Sequence, residues 1–177
     1  VQLVLGLGNP GSRYAETRHN VGFRVVDELA RRQGSGSWSR YPLCDMRFLS
    51  VGNGVITAKP STFMNRSGAA LEWLLRRYSL APEQVLVVVD DVDLKLGRLR
   101  LRINGGPGTH NGLRDLCEVA GTSFPRLRVG VRGEEVWDDL ASYVTEPFDT
   151  EELDTVAAVI GRAADAVVAA VADGLDV

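Results

Sequence analysis

The chain has 177 residues, of which 45% are hydrophobic and 24% are charged, and its formal net charge is −3. This length and composition predict a single globular domain over residues 1–177 and exclude collagen-like, low-complexity and disordered chains. No apolar run approaches the roughly 20 residues of a membrane helix and no basic segment precedes the first apolar run, so we expect neither a membrane span nor a signal peptide.

The first half of the chain alternates strand-like and helix-like segments. An apolar run over residues 1–7 ends in a glycine-rich turn, which predicts a buried strand. Apolar residues in Val21–Arg32 recur at helical spacing and predict an amphipathic helix. Two further apolar runs, 46–49 and 55–58, flank an Asn-Gly turn and predict a β-hairpin.

The second half continues the alternation. Small residues open a predicted helix over 67–78, and residues 85–89 form the most strand-like run of the chain, without a polar side chain. In the next predicted strand, 98–103, arginine and apolar residues alternate, which places the arginines on one face. A helix over 110–119 and a strand over 126–131 follow.

The end of the chain predicts a long helix. Asp149 and Glu152 have the spacing of a capping box, and Gly174 marks the helix end. Leu153 and Ala157 are among the apolar residues expected on its buried stripe. Because strands and helices alternate along the whole chain, we predict an α/β fold with a central mixed β-sheet and helices on both sides.

A glycine pattern near the start is typical of dinucleotide-binding oxidoreductases. Residues 6–11 satisfy G-x-G-x-x-G directly after the first strand. However, no helix opens at the third glycine, and Asp27 lies inside a helical pattern rather than at the end of a second strand. The context therefore argues against a dinucleotide site, and the chain has no G-K-[ST] phosphate loop.

Polar residues with chemical potential cluster at the predicted junctions. His19 and His110, the two histidines of the chain, are each followed by an asparagine in a short polar segment. Asp90, Asp91 and Asp93 follow the most buried strand, where they form a turn, a Mg²⁺ site or a carboxylate that orients a histidine. Since no phosphate-binding loop accompanies these carboxylates, we predict no metal ion and no cofactor.

Charge is distributed unevenly along the chain. Residues 1–133 carry 19 basic against 11 acidic side chains, whereas residues 134–177 carry one basic against 12 acidic ones. The segment 95–132 alone has a net charge of +6, which fits either a solvated strand face or a phosphate-rich partner. The two cysteines have neither metal-binding spacing nor a disulfide pattern, which favours a cytoplasmic location.

The ordered combination of motifs resembles bacterial peptidyl-tRNA hydrolase over residues 1 to about 148. The motifs are Gly8-Asn9-Pro10-Gly11, Tyr14, Thr17-Arg18-His19-Asn20-x-Gly22, Lys59-Pro60-x-Thr62-Phe63-Met64-Asn65-x-Ser67-Gly68, Asp90-Asp91-x-Asp93-Leu94, Gly105-Gly106 and His110-Asn111-Gly112-Leu113. The resemblance implies a metal-independent ester hydrolase that cleaves peptide from tRNA, releases stalled peptides and recycles the tRNA for translation.

The resemblance also implies roles for individual residues. His19 is similar to the general base that activates water, and Asp90 to the acid that orients this histidine. Asn65 is similar to the residue that positions water and substrate. Asn9 matches the residue that distinguishes blocked from free α-amino groups, and Asn111 matches a contact to the tRNA 3′ end.

Further positions match substrate contacts of the family. Tyr14 and Phe63 correspond to residues that line the substrate site, and Met64 to its floor. Arg102 and Arg128 correspond to a clamp for the tRNA 5′ phosphate. The expected partner is thus peptidyl-tRNA, contacted at its 3′ end and acceptor stem. We expect the protein to be a monomer and not to bind a membrane.

One loop departs from the family pattern. Thr109 stands where the family has a glycine, and Pro107 lies two residues earlier, so we expect a stiffer loop over the tRNA end. The runner-up hypothesis is a relative of the same fold that binds RNA without hydrolysing it. The presence of His19, Asn65 and Asp90 argues against that alternative.

Overall fold

A computed structural model describes residues 1–34, 36–134 and 137–175. The strands are β1 (Leu3–Gly6), β2 (Ser39–Arg40), β3 (Cys44–Leu49), β4 (Val55–Pro60), β5 (Val85–Lys95), β6 (Leu99–Arg102) and β7 (Arg126–Arg132). The α-helices are α1 (Val21–Arg32), α2 (Ser67–Tyr78), α3 (Asn111–Ala120), α4 (Leu140–Thr145) and α5 (Leu153–Ala172). All the predicted elements are present, whereas β2 and α4 were not predicted.

The described strands form one mixed sheet in the order β2-β3-β4-β1-β5-β7-β6. Strands β4, β1, β5 and β7 run parallel to one another. Strand β3 pairs antiparallel with β4 at one side, and β6 pairs antiparallel with β7 at the other. This arrangement confirms the predicted α/β fold. Strand β5 runs past the predicted end at residue 89 to Lys95, because it continues to pair with β7. Asp90 and Asp91 therefore belong to the sheet itself.

Helices cover both faces of the sheet and create two apolar cores. Helices α1 and α5 pack on one face, where Val26, Leu29 and Val159 are buried. Helices α2 and α3 pack on the other, through residues such as Leu74 and Leu116. Burial on both faces explains why β1 and the first part of β5 have apolar side chains on both sides.

The glycine pattern near the start serves the packing of α1. A Cβ on Gly22 of α1 would lie 2.4 Å from the Val88 carbonyl oxygen and 2.6 Å from backbone atoms of Leu7. A Cβ on Gly6 would lie 2.4 Å from the Gly22 carbonyl oxygen. Gly6 and Gly22 thus allow α1 to lie directly against β1 and β5.

Helix α5 corrects part of the predicted buried stripe. The segment Thr150–Ala172 is long and apolar enough to cross a membrane by length and composition alone, with a mean hydropathy of 1.7 over 18 residues. The core helix of a soluble protein passes the same test, so this finding does not contradict the expectation of no membrane span. The capping box of Asp149 and Glu152 is present as predicted. Leu153 and Ala157, however, are exposed, because the buried stripe runs through residues such as Val156 and Val159.

Candidate active site

The site lies where three neighbouring parallel strands end. Strands β4, β1 and β5 are adjacent, so the segments that follow β4 and β1 meet beside the last buried residues of β5. Asn9 follows β1, Asn65 lies in a 3₁₀ turn after β4, and Asp90 belongs to β5. His19 lies in a 3₁₀ turn, Arg18–Asn20, that leads directly into α1.

His19 and Asp90 form a buried pair, as the sequence resemblance implied. The Nδ1 atom of His19 lies 2.9 Å from each carboxylate oxygen of Asp90. An ionised carboxylate only accepts hydrogen bonds, so Nδ1 of His19 carries the proton and donates it to Asp90. In the neutral imidazole the Nε2 atom therefore keeps its lone pair, which is the arrangement of a histidine that acts as a base.

A second histidine binds the same carboxylate. The backbone N–H of Leu113 donates to Nδ1 of His110 at 3.1 Å, which caps the start of α3. Because Nδ1 of His110 accepts this bond, its Nε2 carries the proton and donates to Asp90 Oδ1 at 2.8 Å. Sequence reasoning noticed His110 but did not assign it to the site. Its position just before α3 was the available signal.

The contact between His19 and Asp90 shifts the pKa of both side chains. Burial alone would raise the pKa of Asp90, but the nearby His19 and His110 lower it well below its usual range. For His19, burial lowers the pKa, while the charge and hydrogen bond of Asp90 raise it, and the net effect is a pKa above the usual 6.5. Asp90 is thus ionised at neutral pH and orients His19.

Hydrogen bonds hold the backbone and the side-chain oxygen of Asn9 in place, and its side-chain Nδ2 makes no hydrogen bond among the described residues. Its backbone N–H donates to Asn20 Oδ1 and its carbonyl accepts from Asn20 Nδ2, both at 2.9 Å. Its side-chain Oδ1 accepts from the backbone N–H of Met64 at 2.8 Å. The Nδ2 of Asn9 remains as a donor, positioned by bonds on three sides of the residue.

A cavity of about 660 Å³ opens beside His19 and collects most of the predicted site residues. Its lining includes Asn9, His19, Phe63, Met64, Asn65 and Asn111. Tyr14 does not line this cavity. Instead its ring meets the exposed ring of Phe63 edge to face, with 6.3 Å between the ring centroids. The asparagine side chains present amide groups to any occupant, which suits a ligand recognised through its peptide backbone.

A smaller cavity of about 320 Å³ lies next to His19 and Asp90, and α4 borders both cavities. Ala141 and Val144 of α4 line the two cavities. Asp139 caps α4 by accepting from the backbone N–H groups of Ala141 and Ser142. Sequence reasoning missed α4, because six residues are too few to show a helical period.

His19, Asp90 and His110 are of the residue types that ligate metal ions. The ligand atoms of His19, Asp90 and His110 all lie within 4.8 Å of one another. The Nδ1 atom of His19 and the Nε2 atom of His110 lie 2.8 to 2.9 Å from carboxylate oxygens of Asp90, which are direct hydrogen-bond distances. The three neighbouring carboxylates considered from sequence do not converge, since Asp91 accepts from the Asp93 backbone N–H and pairs with Arg128.

The basic strands β6 and β7 confirm the predicted shared face but not its full exposure. Arg100 lies opposite Arg128, and Arg102 opposite Arg126, across the two strands. Arg102 is exposed. Arg126, however, is completely buried, and its guanidinium donates to the carbonyls of Gly105, Gly106, Thr122 and Phe124. The +6 segment therefore includes one arginine that supports the loop rather than the surface.

Arg128 has protein partners of its own. Its Nη1 lies 3.3 Å from Asp91 Oδ2, and its Nη2 donates to the Gly106 carbonyl at 3.1 Å. Arg126 and Arg128 thus both hold the loop that leads to His110. Pro107 and Thr109 lie in this loop, and the His110 N–H donates to the Pro107 carbonyl at 3.4 Å.

Comparisons with known proteins agree with this geometry. A family model described as "Peptidyl-tRNA hydrolase" matches residues 3–177. The chain is 45% identical over 165 residues to peptidyl-tRNA hydrolase of Aquifex aeolicus, covering 92% of this chain and 86% of that one. It is also 45% identical over 177 residues to peptidyl-tRNA hydrolase of a Mycobacterium species, strain KMS, covering 98% and 92%. A crystal structure of peptidyl-tRNA hydrolase from Acinetobacter baumannii superposes with a TM-score of 0.90 at 34% identity, covering 98% of this chain and 89% of the other.

Proposed function

The chain belongs to the peptidyl-tRNA hydrolase family and hydrolyses peptidyl-tRNA, and we propose that His19 is the general base of this reaction. The observation that carries the proposal is the contact of His19 Nδ1 with both oxygens of Asp90 at 2.9 Å. This contact directs the proton to Nδ1 and leaves Nε2 as the basic atom. The 660 Å³ cavity beside His19 is the proposed substrate site.

The proposed reaction is an acyl transfer to water. His19 Nε2 takes a proton from a water molecule, and the water oxygen attacks the carbonyl carbon of the ester. The tetrahedral intermediate collapses by breaking the bond to the ribose oxygen, and protonated His19 returns its proton to that oxygen. The products are a peptide with a free carboxyl group and a tRNA with a free hydroxyl. Asp90 stays ionised and stabilises the protonated His19.

The asparagines supply the polar contacts of the proposed site. Asn65 positions the water and the ester, where an amide N–H can stabilise the developing oxyanion. Asn9 Nδ2 is the free donor for the blocked amino end, because its Oδ1 is already bound to Met64. Asn111 accepts from Arg114 through Oδ1 and keeps its Nδ2 for the tRNA 3′ end. Tyr14, Phe63 and Met64 supply the apolar contacts.

The RNA contacts and the state of the protein are also proposals. The exposed Arg102 and the half-buried Arg128 are proposed contacts to the acceptor stem. The described residues share one sheet, which supports a single domain over 1–177. Two free cysteines in the described residues are consistent with a cytoplasmic location. We further propose a monomer, which light scattering of the purified protein tests directly.

Release of N-acetylated aminoacyl groups from tRNA by the purified protein tests the proposed base. We expect turnover of the blocked substrate, little turnover of unblocked aminoacyl-tRNA, and a loss of about 10²–10⁴-fold in His19→Ala. A His19→Ala variant with normal turnover would remove His19 from the mechanism. Absent turnover of the wild-type protein with intact tRNA binding would instead favour the non-catalytic RNA-binding alternative.

A further inference from the structure

A third cavity, of about 600 Å³, is lined by Asn9 and by residues outside the reacting centre. Asn9 lines both this cavity and the substrate cavity beside His19. The segment after β4 also passes from one to the other, since Pro60 and Ser61 line the third cavity while Phe63 and Asn65 line the substrate cavity. The two cavities therefore share Asn9, and the segment after β4 contributes to the lining of both.

Two charged side chains in this third cavity lack hydrogen bonds to any described residue. Arg24 is one-quarter exposed, and its nearest ionic partner is the exposed Glu16 carboxylate at 3.6 Å. Asp45 is similarly half-buried, and its nearest ionic partner is the exposed Arg40 at 3.5 Å. In both residues a terminal atom is shielded from solvent and makes no hydrogen bond to any described residue. Such groups are costly unless a ligand supplies the missing bonds.

Three other charged side chains line the cavity. Lys59 donates to Asp27 at 2.7 Å and lies 4.3 Å from the centre of the Trp38 ring, and Arg40 is exposed to solvent. The cavity groups with a shielded atom and no hydrogen bond among the described residues are thus one donor group, Arg24, and one acceptor group, Asp45. A peptide backbone offers the complementary carbonyl acceptors and N–H donors. A phosphate chain offers only acceptors and leaves the Asp45 carboxylate without a donor.

We propose that this third cavity binds the backbone of the upstream residues of the substrate peptide, through Arg24 and Asp45. The proposal rests on the proposed function, because it extends the same substrate away from the ester. Arg24 donates to a peptide carbonyl, and Asp45 accepts from a peptide N–H. Recognition through backbone groups suits an enzyme that accepts peptides of any sequence. A peptide of six residues reaches at most about 20 Å when extended, so the contacts serve long peptides rather than single residues.

The test compares two substrates on the same tRNA: an N-acetylated single residue and an N-acetylated six-residue uncharged peptide with the same C-terminal residue. The measured quantity is the ratio of kcat/KM for the long and short substrates. We expect Arg24→Met and Asp45→Asn each to lower this ratio, by about tenfold for Arg24→Met, as for loss of one charge-assisted hydrogen bond. Arg76→Met is the matched control, because Arg76 is exposed on α2 and, among the described residues, forms an ion pair with Glu72 alone.

Each outcome bears on the proposal separately. An unchanged ratio in both variants overturns it. An equal loss on both substrates, with unchanged thermal stability, also overturns it, because the cavity would then contact the shared tRNA. If Arg24→Met is destabilised, Asp45→Asn decides, since it keeps the size and shape of the side chain. A wild-type protein inactive on both substrates would refute the proposed function itself, and the binding of the free N-acetylated peptide to the wild-type protein and the two variants then tests the cavity.

Discussion

The Nε2 atom of His110 lies 2.8 Å from Oδ1 of Asp90, the carboxylate that also orients His19. Asp90 therefore accepts from two imidazoles, one in the turn before α1 and one at the start of α3. The rings of His19 and His110 are 4.9 Å apart between centroids. This arrangement links the loop over the site to the proposed base through one buried charge.

His110 substitutions test whether this second donor matters for the reaction. His110→Asn retains a side chain that can cap α3 but is too short to keep the bond to Asp90, whereas His110→Ala loses both functions. We expect both variants to lose about tenfold in kcat, consistent with one lost hydrogen bond to a charged group. Only His110→Ala should also lose about 1 kcal/mol of stability.

The measurement combines steady-state hydrolysis of N-acetylated aminoacyl-tRNA with urea unfolding. Thr109→Ala is the matched control, since Thr109 is the exposed neighbour in the same loop. A wild-type kcat in His110→Asn would show that the contact with Asp90 is only structural.

The pH dependence of kcat/KM tests the coupling of His19 and Asp90. The reaction needs neutral His19, so the rate falls as the pH drops through the His19 pKa, which Asp90 raises above 6.5. In Asp90→Asn the carboxylate no longer raises the pKa of His19, while burial still lowers it. We therefore expect the acidic limb of the profile to move to lower pH and kcat to fall. A limb that stays in place would mean that another group sets it.

Long periodic elements were predictable, and short ones stabilised by tertiary contacts were not. The strand and helix patterns of β1, β5 and α1 reflect burial that extends over many residues. Strand β2 has two exposed residues and exists through its pairing with β3. Helix α4 is held in place by contacts with distant parts of the chain. For example, the hydroxyl of its own Tyr143 donates to the Val131 carbonyl in β7.

The motif resemblance singled out His19, Asn65 and Asp90, and the structure brings His19 and Asp90 into contact. His19 and Asn65 lie in turns, where sites concentrate, whereas Asp90 lies within β5. Alternation predicted that the arginines of strand 98–103 share a face, but it contains no information on which basic side chains of the neighbouring strand a loop covers. Burial of Arg126 under Gly105 and Gly106 is a tertiary contact between distant parts of the chain.

Glycine substitutions in two helices test the packing of α1 on the sheet. In Gly22→Ala the new methyl group would lie 2.4 Å from the Val88 carbonyl oxygen, and backbone atoms cannot move aside easily. We expect a loss of about 1–3 kcal/mol in the free energy of unfolding, as for other overpacked sites. Gly161→Ala in α5 is the control, because its nearest neighbour is a flexible arginine nitrogen at 3.6 Å. That change should be neutral or stabilising, since alanine favours helix.

Urea denaturation of both variants at pH 7 measures this difference. Equal stability of Gly22→Ala and the wild-type protein would mean that α1 can shift away from the sheet. His19 lies in the turn that leads into α1, so we also expect Gly22→Ala to lower kcat in proportion to its folded fraction or more.

Arg102 and Arg128 should affect RNA binding in different ways. Arg102 is exposed on the edge strand β6, so Arg102→Ala should weaken tRNA binding. The slope of log Kd against the logarithm of the salt concentration should fall by about 1, the value for one phosphate contact. Arg128 is bound to Asp91 and to the Gly106 carbonyl, so Arg128→Ala should also loosen the loop that carries His110. We therefore expect Arg102→Ala to raise KM alone and Arg128→Ala to raise KM and lower kcat.

Filter binding over a range of salt concentrations, together with turnover at saturating substrate, separates these effects. Arg76→Ala, remote from β6 on α2, controls for the loss of one positive charge. Identical salt slopes and kcat values for the Arg102 and Arg128 variants would contradict the assignment, because they would place the two arginines in equivalent surface positions. A lower kcat confined to Arg128→Ala would instead tie phosphate binding to the position of His110, since the loop that Arg128 holds also presents His110 to Asp90.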